Sequence, residues 1–344
     1  MRRTELKKQR KKRRNRRILF SALAVFLVVI GFGSYLIYQT LQAANNSYDD
    51  LDGREKSELR DEAVSISSDP FSILIMGVED YESEGQTGRT DTLMVVTFDP
   101  EEQSSKILSI PRDTLVDFVG MDRRDKINHA YAYGEKEMTI NTVEGFLDIP
   151  IDYYASVNFD AFIEMVDVLG GVTVNVPFDF EQKTMAPNSY YVEFFEGEQH
   201  VNGEEALAYV RMRKEDPRGD LGRVDRQQEF MKALADEAMS FQTVTKVDDI
   251  SKVIGDHVTT NVKVSEGIPM FRNLNNFDRD NMETVELDTY HEMIDGVSFQ
   301  IARDESLENA RSELKEHLQL EDSTHVEHDA DVITSEDEEA NNSY

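Results

Sequence analysis

The architecture of the chain follows from the stretch FSILIMGV at Phe71–Val78 and from two runs that come soon after it, TLMVVTF at Thr92–Phe98 and SKILSI at Ser105–Ile110. Each run is short, apolar and bounded by turn residues, which predicts a β-strand. The tetrapeptide at Asp99–Glu102 is typical of a turn. If the three strands pair as an antiparallel meander, the end of the first, the start of the second and the end of the third lie at one rim of the sheet.

Strand and helix patterns alternate further along the chain. Two more β-rich runs are Tyr153–Val157 and Val172–Val176. Helical spacing of apolar residues occurs in Thr139–Leu147, Phe159–Leu169 and Val224–Phe241. This mixture predicts the α/β class, with a layered α/β/α domain and a central mixed β-sheet over residues 71–302.

The N-terminal part of the chain has the pattern of a membrane anchor. Ile18–Tyr38 is a run of 21 uncharged residues, enough for a helix of about 30 Å, the thickness of a bilayer core. Residues 2–17 hold eleven Lys and Arg and one acidic residue, so the positive-inside rule keeps them in the cytoplasm. We therefore expect a basic head over residues 1–17, one transmembrane helix over 18–38 and an exported body. A cleaved signal peptide is the alternative, but it needs a shorter apolar run and a clean cleavage site.

Polar segments flank the expected domain. Residues 39–70 are rich in Asn, Ser, Asp, Glu and Lys, which predicts a polar stalk. Residues 303–344 carry a net charge of −11 and few large apolar residues after Leu320. This composition predicts an acidic terminal helix followed by a disordered tail.

Composition and missing motifs exclude several classes of protein. The formal net charge of −31 argues against nucleic-acid binding through the body of the chain. No cysteine is present, and the seven histidines lack the spacing of a zinc site. Neither a P-loop nor the G-x-S-x-G elbow of serine hydrolases occurs.

Charged residues cluster at the predicted rim of the meander. They lie in three segments, Gly77–Asp80, Gly88–Asp91 and Ile110–Asp113. Any one segment could simply form surface salt bridges. Convergence of all three at one rim instead indicates a site built from carboxylates and arginines.

A second group of arginines lies between residues 211 and 226. Arg211 and Arg213 point to the same side in an extended segment, so we expect the preceding helix to end before Arg211. Arg223 and Gln227 share one face at the start of the next helix, and helix N-termini and arginine forks both suit phosphate. A local anion site is one interpretation. Ion pairs with neighbouring acidic residues are the other: Glu204, Glu205, Asp216 and Asp225.

Carboxylates that hold a hard cation beside arginines that hold phosphates suit magnesium-assisted phosphoryl or pyrophosphate chemistry. His129 is the histidine that lies near the predicted sheet. We interpret it as a structural or rim residue rather than a base.

Seven motifs follow each other in order along the chain. They are GRTDT (Gly88–Thr92), SIPRDT (Ser109–Thr114), KINHAY (Lys126–Tyr131), VDVLGGV (Val166–Val172), ALAYVRMR (Ala206–Arg213), GDLGR (Gly219–Arg223) and RQQ (Arg226–Gln228). With this ordered series the chain resembles the LytR-CpsA-Psr family of cell-wall glycopolymer transferases over residues 71–242.

The resemblance implies a reaction. Members of this family are thought to transfer an anionic glycopolymer, such as teichoic acid or capsule, from an undecaprenyl-pyrophosphate carrier to a muramic acid hydroxyl of peptidoglycan, forming a phosphodiester. Mg²⁺ assists, and the lipid occupies an apolar cavity. Partners would thus be the lipid-linked glycopolymer, peptidoglycan and the cell membrane, with no nucleic acid.

The same resemblance implies roles for individual residues. Asp91 would be a metal-site carboxylate and a catalytic residue, and Asp220 a nearby acidic residue acting as a base or orienting an arginine. The pyrophosphate would be contacted by Arg89, Arg112, Arg211, Arg213 and Arg223, with Gln227 beside them, and Arg112 and Arg213 would also act in catalysis. Where the family usually has Asp, this chain has Glu79 followed by Asp80, so either could be the second metal ligand.

Two other functions use the same residues. One is hydrolysis of a polyprenyl pyrophosphate, with water in place of the sugar acceptor. The other is a non-catalytic surface protein that binds anionic polymers or regulates the envelope.

Overall fold

The structure is a computed structural model that describes residues 47–51, 53–78, 88–185, 189–238, 246–263 and 281–320. The predicted cytoplasmic head and transmembrane helix, Glu79, Asp80 and the predicted tail beyond residue 320 lie outside these residues. Within the described ranges, no helix has the length and apolar character needed to cross a bilayer.

Strands and helices alternate along the described chain. The strands are β1 (Phe71–Val78), β2 (Thr90–Asp99), β3 (Ser104–Ile110), β4 (Leu115–Asp117), β5 (Arg124–Lys126), β6 (Tyr153–Asn158), β7 (Val172–Val176), β8 (Phe180–Lys183), β9 (Tyr191–Phe194), β10 (Gly197–Val201), β11 (Val258–Thr260), β12 (Met282–Val285), β13 (Thr289–Ile294) and β14 (Val297–Ala302). The helices are α1 (Ala130–Leu147), α2 (Phe159–Leu169), α3 (Gly203–Arg211), α4 (Asp220–Ala238), α5 (Val247–His257) and α6 (Asp304–His317), and a 3-10 turn, Ile127–His129, precedes α1.

The central sheet has six strands in the order β11-β6-β1-β2-β3-β12. β1, β2 and β3 form the predicted antiparallel meander. β6 and β12 add in parallel to β1 and β3, and β11 is antiparallel to β6. The sheet is therefore mixed, as the sequence predicts.

Helices cover both faces of this sheet. On one face, alternate residues of β1 such as Leu74 and Met76 join Val143 of α1 and Leu314 of α6 in the largest core cluster. On the other face, Met94 and Val96 of β2 and Ile107 of β3 pack with Met231 of α4. Because successive side chains of a strand point to opposite faces of the sheet, apolar side chains contact the helices on both faces. This confirms the α/β/α architecture.

The described part of the predicted stalk, residues 47–51 and 53–70, packs against the domain and is not a free linker. Leu51 and Ile66 are buried, and Arg60 forms a double hydrogen bond with Asp152, with Nε to Oδ1 at 3.1 Å and Nη2 to Oδ2 at 2.8 Å. The polar composition of this segment suggested a linker. Its buried apolar residues instead pack against the domain, and its arginines form ion pairs with carboxylates of the domain.

Two helix boundaries differ from the sequence prediction. α1 begins at Ala130 rather than at the predicted Thr139. A break at Gly134 and Glu135, with φ of 48° at Glu135, interrupts the helical periodicity of the sequence. The apolar pattern therefore indicated only the part of the helix after the break. The described part of α4 begins at Asp220, before the predicted Val224. The predicted terminal helix is present as α6.

Candidate active site

An apolar cavity lies between the central sheet and the helices of its second face. It encloses about 600 Å³. Its walls include Ile75, Met94 and Val157 from the strands and Phe162, Phe230 and Leu234 from α2 and α4. A cavity of this size and lining suits a flexible hydrocarbon ligand.

Charged side chains close one end of the apolar cavity. Arg112 Nη1 donates to Asp91 Oδ1 at 2.6 Å, and Arg211 Nη2 lies 3.3 Å from Asp91 Oδ2. The Arg211 guanidinium also lies over the ring of Phe159, 4.4 Å from its centroid. Asp91 thus holds two arginines in fixed positions at the boundary between apolar and polar surroundings.

The meander places these residues as the sequence predicts. Gly77 pairs with Thr92 and Leu93 pairs with Ile110, so the end of β1, the start of β2 and the end of β3 share one rim. A Cβ on Gly77 would lie 3.1 Å from Thr92 Cβ, so glycine permits the close approach of the two strands here.

A polar cleft of about 370 Å³ adjoins the charged end of the cavity. The two spaces share Asp91, Arg112 and Arg213. The other residues that line the polar cleft are Arg89, Asp113, Lys126, Asn128, His129 and Ser298. An apolar space and a polar space therefore meet at one arginine-rich junction.

Asp113 is the second carboxylate at this junction. Lys126 Nζ donates to its Oδ1 at 2.9 Å, and Arg213 Nη1 lies 3.9 Å from its Oδ2. Burial opposes ionisation of Asp113, but the hydrogen bond and charge of Lys126 and the charges of Arg112 and Arg213 outweigh it and lower the pKa. This carboxylate therefore stays ionised and holds cations in place.

Arg211 and Arg213 both lie at the junction, but the backbone conformation that places them there differs from the one expected. α3 ends at Arg211 itself, and Met212 has the extended angles φ −59° and ψ 132°. Arg211 therefore belongs to the last helical turn, which corrects the prediction that the helix ends before it. The extended residue that follows returns Arg213 to the same side.

The other arginines of this region divide into two groups. Arg223 and Gln227 line the apolar cavity from the first turns of α4. Arg226 instead forms a buried ion pair with Asp216, and Arg218 pairs with Asp225. The ion-pair interpretation is thus right for Arg218 and Arg226, while the anion-site interpretation agrees with the placement of Arg211, Arg213 and Arg223.

Sequence reasoning missed several residues of the site. Gln182 and Lys214 line the apolar cavity, and Ser298 of β14 lines the polar cleft. They come from hairpins and turns outside the motifs, so no periodicity or spacing pointed to them. Asp220 is the first residue of α4, but its side chain lies outside the described part of the structure.

Of the three predicted magnesium ligands, Asp91 is the one that lies within the described residues. Carboxylate oxygens are ligands that Mg²⁺ prefers, and Asp91 presents its carboxylate at the junction. Within the described ranges no group of three or more acidic or histidine side chains could hold a metal. Glu79 and Asp80 lie outside those ranges, so the choice between them stays a prediction.

Comparison with known proteins agrees with this geometry. The model of the LytR_cpsA_psr family matches residues 34–316. The chain belongs to the LytR-CpsA-Psr family. This LytR-CpsA-Psr protein is 43% identical over 315 residues to the polyisoprenyl-teichoic acid–peptidoglycan teichoic acid transferase TagV of Bacillus subtilis (strain 168). The match covers 88% of this chain and 78% of TagV. It is also 43% identical over 298 residues to the corresponding transferase TagU of Halalkalibacterium halodurans, covering 86% of this chain and 95% of TagU.

Solved structures of LytR-CpsA-Psr relatives have the same fold. The crystal structure of B. subtilis TagV matches with a TM-score of 0.67 and 41% identity over 74% of this chain and 99% of TagV. A structure of TagT bound to LI-WTA matches with a TM-score of 0.66 and 30% identity over 79% of this chain and 100% of TagT. The family and the mixed α/β fold that the sequence predicts are confirmed.

Proposed function

We propose that this LytR-CpsA-Psr protein transfers an anionic glycopolymer of the teichoic acid or capsule type from an undecaprenyl-pyrophosphate carrier to peptidoglycan. The product is a phosphodiester at a muramic acid hydroxyl. The observation that carries the proposal is the junction where the apolar cavity meets Arg112, Arg211 and Arg213. The relatives TagV and TagU are named as polyisoprenyl-teichoic acid–peptidoglycan teichoic acid transferases, which supports the same substrates.

The apolar cavity and the polar cleft suit different parts of the substrate. The polyprenyl chain fits the apolar cavity, where burial of hydrocarbon is worth about 25 cal/mol per Å². The pyrophosphate then reaches Arg112, Arg211 and Arg213, whose guanidinium forks match phosphate oxygens. The glycopolymer and the acceptor sugar occupy the polar cleft on the other side of the arginines.

The chemistry at the junction is mainly electrostatic. Phosphoryl transfer to a sugar hydroxyl leaves polyprenyl phosphate, on which negative charge develops. Arginines already held by Asp91 and Asp113 stabilise that charge without reorganising in the transition state. The carboxylates therefore serve as anchors for the arginines that contact the leaving group.

Magnesium is part of the proposal. Held by Asp91 together with Glu79 or Asp80, Mg²⁺ would neutralise charge on the pyrophosphate. Asp91→Asn should weaken Mg²⁺ binding by the isolated protein, which calorimetry measures without any turnover. Unchanged binding in this variant would exclude Asp91 as a ligand.

The location is part of the proposal as well. We infer a single-pass membrane protein with a cytoplasmic N-terminus and an extracellular catalytic domain, on the basis of the basic block and the uncharged run Ile18–Tyr38. Protease added to intact cells should remove the domain and leave the basic head protected. Protection of the domain would overturn this orientation.

Transfer itself is tested with the full chain in detergent, a polyprenyl-pyrophosphate-linked glycopolymer and Mg²⁺, with and without peptidoglycan glycan strands. We expect polymer to become covalently attached to glycan, and polyprenyl phosphate to appear in equal amount. Release of free polymer at the same rate without acceptor would identify a hydrolase instead. Binding with neither product would identify a non-catalytic binding protein.

A cavity variant tests the place of the lipid. Ala155 lines the apolar cavity from β6 and is remote in sequence from the arginines. Ala155→Phe should raise KM at least about tenfold for a long polyprenyl carrier, because the ring fills space that the chain needs. A carrier with a short prenyl chain is the control and should be much less affected. Equal effects on both carriers would contradict the placement of the lipid.

A further inference from the structure

A histidine and an aspartate form a pair at the edge of the polar cleft. His129 ends the 3-10 turn before α1, and its Nδ1 lies 3.1 Å from Asp125 Oδ1. Asp125 also accepts hydrogen bonds from Arg123 Nη2 at 2.6 Å and from the Lys126 N–H at 2.8 Å. The carboxylate is therefore held on three sides and fixes the orientation of the imidazole ring.

The Asp125 carboxylate also determines which ring nitrogen carries the proton. Burial opposes ionisation of Asp125, but hydrogen bonds from Arg123, His129 and the Lys126 N–H outweigh it and lower the pKa, so the group is an anion at neutral pH. An anionic acceptor at Nδ1 places the proton of a neutral imidazole there, which leaves a lone pair on Nε2. In the described part of the chain no hydrogen bond is formed at Nε2, and the side chain is 23% exposed.

The other carboxylates of the polar cleft are less suited to accept a proton. Asp91 faces Arg112 and Arg211 with its two oxygens. Asp113 faces Lys126 and Arg213, and its pKa is lowered. A carboxylate engaged by two cations is a weak base, whereas a neutral imidazole with a lone pair on Nε2 can accept a proton.

We propose that His129, oriented by Asp125, is the general base that activates the acceptor hydroxyl, in place of the structural role that the sequence suggested for it. This inference rests on the proposed function. As the hydroxyl oxygen forms its bond to the glycopolymer-bearing phosphorus, its proton moves to Nε2 of His129. The bond from that phosphorus to the bridging oxygen of the pyrophosphate breaks, and polyprenyl phosphate leaves with the electron pair. Asp125 stabilises the imidazolium that results.

Charged groups from four parts of the fold surround this histidine. Asp125 and Arg123 come from the β5 region, and β5 also supplies Lys126. The polar cleft adds charged residues from the segments around β2, β3 and the end of α3: Arg89, Asp91, Arg112, Asp113 and Arg213. The cations disfavour the imidazolium and Asp125 favours it, so the Asp125 charge supports proton uptake by Nε2.

The test measures the single-turnover rate of transfer from pH 5 to 9 with the full chain. We expect the wild-type rate to fall on the acid side as His129 becomes protonated. His129→Asn keeps a donor toward Asp125 but has no base, so the rate should fall by roughly 10²–10⁴-fold and the acid limb should disappear. Asp125→Asn should lower the rate less and move the acid limb to lower pH. His200→Asn, in β10 away from the cleft, is the matched control and should behave as wild type.

Two further measurements separate catalysis from folding and binding. Affinity for undecaprenyl pyrophosphate should stay within about twofold of wild type in His129→Asn, and added imidazole should restore part of the rate of His129→Ala. A uniform rate loss with an unchanged acid limb, or a wild-type rate in His129→Asn, would overturn the assignment of the base. Absence of transfer by the wild-type chain would instead overturn the proposed function.

Discussion

At the scale of single residues, the planar geometry of its guanidinium group distinguishes arginine from lysine, which carries the same charge. Arg213 lines both the apolar cavity and the polar cleft, where a planar fork can contact two phosphate oxygens. Arg218 lies five residues further along, 60% exposed, and pairs with Asp225 at 2.5 Å. The two arginines therefore form a natural comparison.

Arg213→Lys should lose about 2 kcal/mol of transition-state stabilisation, or roughly 30-fold in kcat/KM, because lysine keeps the charge but not the fork. Arg218→Lys conserves charge in the same way and should keep wild-type activity, because exposed ion pairs contribute little. Steady-state kinetics at saturating Mg²⁺ measure both. Equal activity in the two variants would contradict the assignment of Arg213 to the phosphate site.

Gly222 lies where a side chain would disturb an ion pair that helps to position the site. A Cβ at this position would overlap the carboxylate of Asp216, which forms the buried ion pair with Arg226. Arg226 Nη2 also donates to the Met212 carbonyl, between Arg211 and Arg213. The glycine thus protects an ion pair that holds the backbone of two site arginines.

Gly222→Ala should destabilise the fold by roughly 3–5 kcal/mol, the usual cost of disrupting a buried ion pair. Gly219→Ala is the control in the same motif. Gly219 has φ of +61° and open space around its Cβ position, so alanine there should cost only about 1 kcal/mol. Urea denaturation compares the free energies of unfolding, and similar losses in the two variants would show that overlap with Asp216 is not the cause.

At the scale of secondary-structure elements, α6 is attached to the central sheet by a buried histidine. His317 Nδ1 lies 2.7 Å from Thr97 Oγ1 of β2, and its Nε2 lies 2.9 Å from Ser104 Oγ of β3. Burial lowers the pKa of His317, and the nearby Lys106 adds to this effect, while Asp99 and Glu283 oppose it. The folded state therefore favours neutral imidazole.

Acidification should weaken this attachment. Because the folded pKa of His317 lies below the unfolded value, the unfolded chain binds the proton first, and stability falls as pH decreases below about 6.5. We expect Tm to drop by several degrees between pH 7 and pH 5.5, and to drop less in His317→Gln. Thermal unfolding at several pH values measures this, and an identical pH slope in the variant would exclude His317 as the source.

At the scale of the whole molecule, the polar segment before β1 is part of the domain. Glu144 of α1 accepts from Ser57 Oγ at 2.6 Å and from Arg54 Nη2 at 2.5 Å. Asp152, whose side chain is only 4% exposed, accepts from Arg60 and from the Ser72 N–H. These contacts join the N-terminal segment to the beginning of β1 and to the segment before β6.

Arg60→Ala should therefore destabilise the fold by about 3 kcal/mol, because it leaves a buried carboxylate without its cation. Arg124→Ala is the matched control, since Arg124 and Asp117 are 62% and 81% exposed. Removal of such a surface pair should change stability by less than about 1 kcal/mol. A small effect of Arg60→Ala on the urea midpoint would mean that this segment is attached only loosely.

Local patterns in the sequence were enough to predict the meander and most elements. Strand bounds such as Val172–Val176 and the helix Phe159–Leu169 agree with the structure, because strand and helix periodicities depend on neighbours a few residues apart. The ordered motifs predicted the family for the same reason, since they are continuous stretches. The cavity between the sheet and α4 was expected only through the family resemblance.

The partner of each charged side chain was decided by the tertiary structure. From spacing alone, Arg211, Arg218 and Arg226 look alike. In the structure Arg211 pairs with Asp91 at the junction, whereas Arg218 and Arg226 pair with Asp225 and Asp216 on or behind α4. The His129 and Asp125 pair depends on a 3-10 turn that no apolar period signals. Charge interactions act over a few ångströms in space, and only the packed layers determine which distant segments come that close.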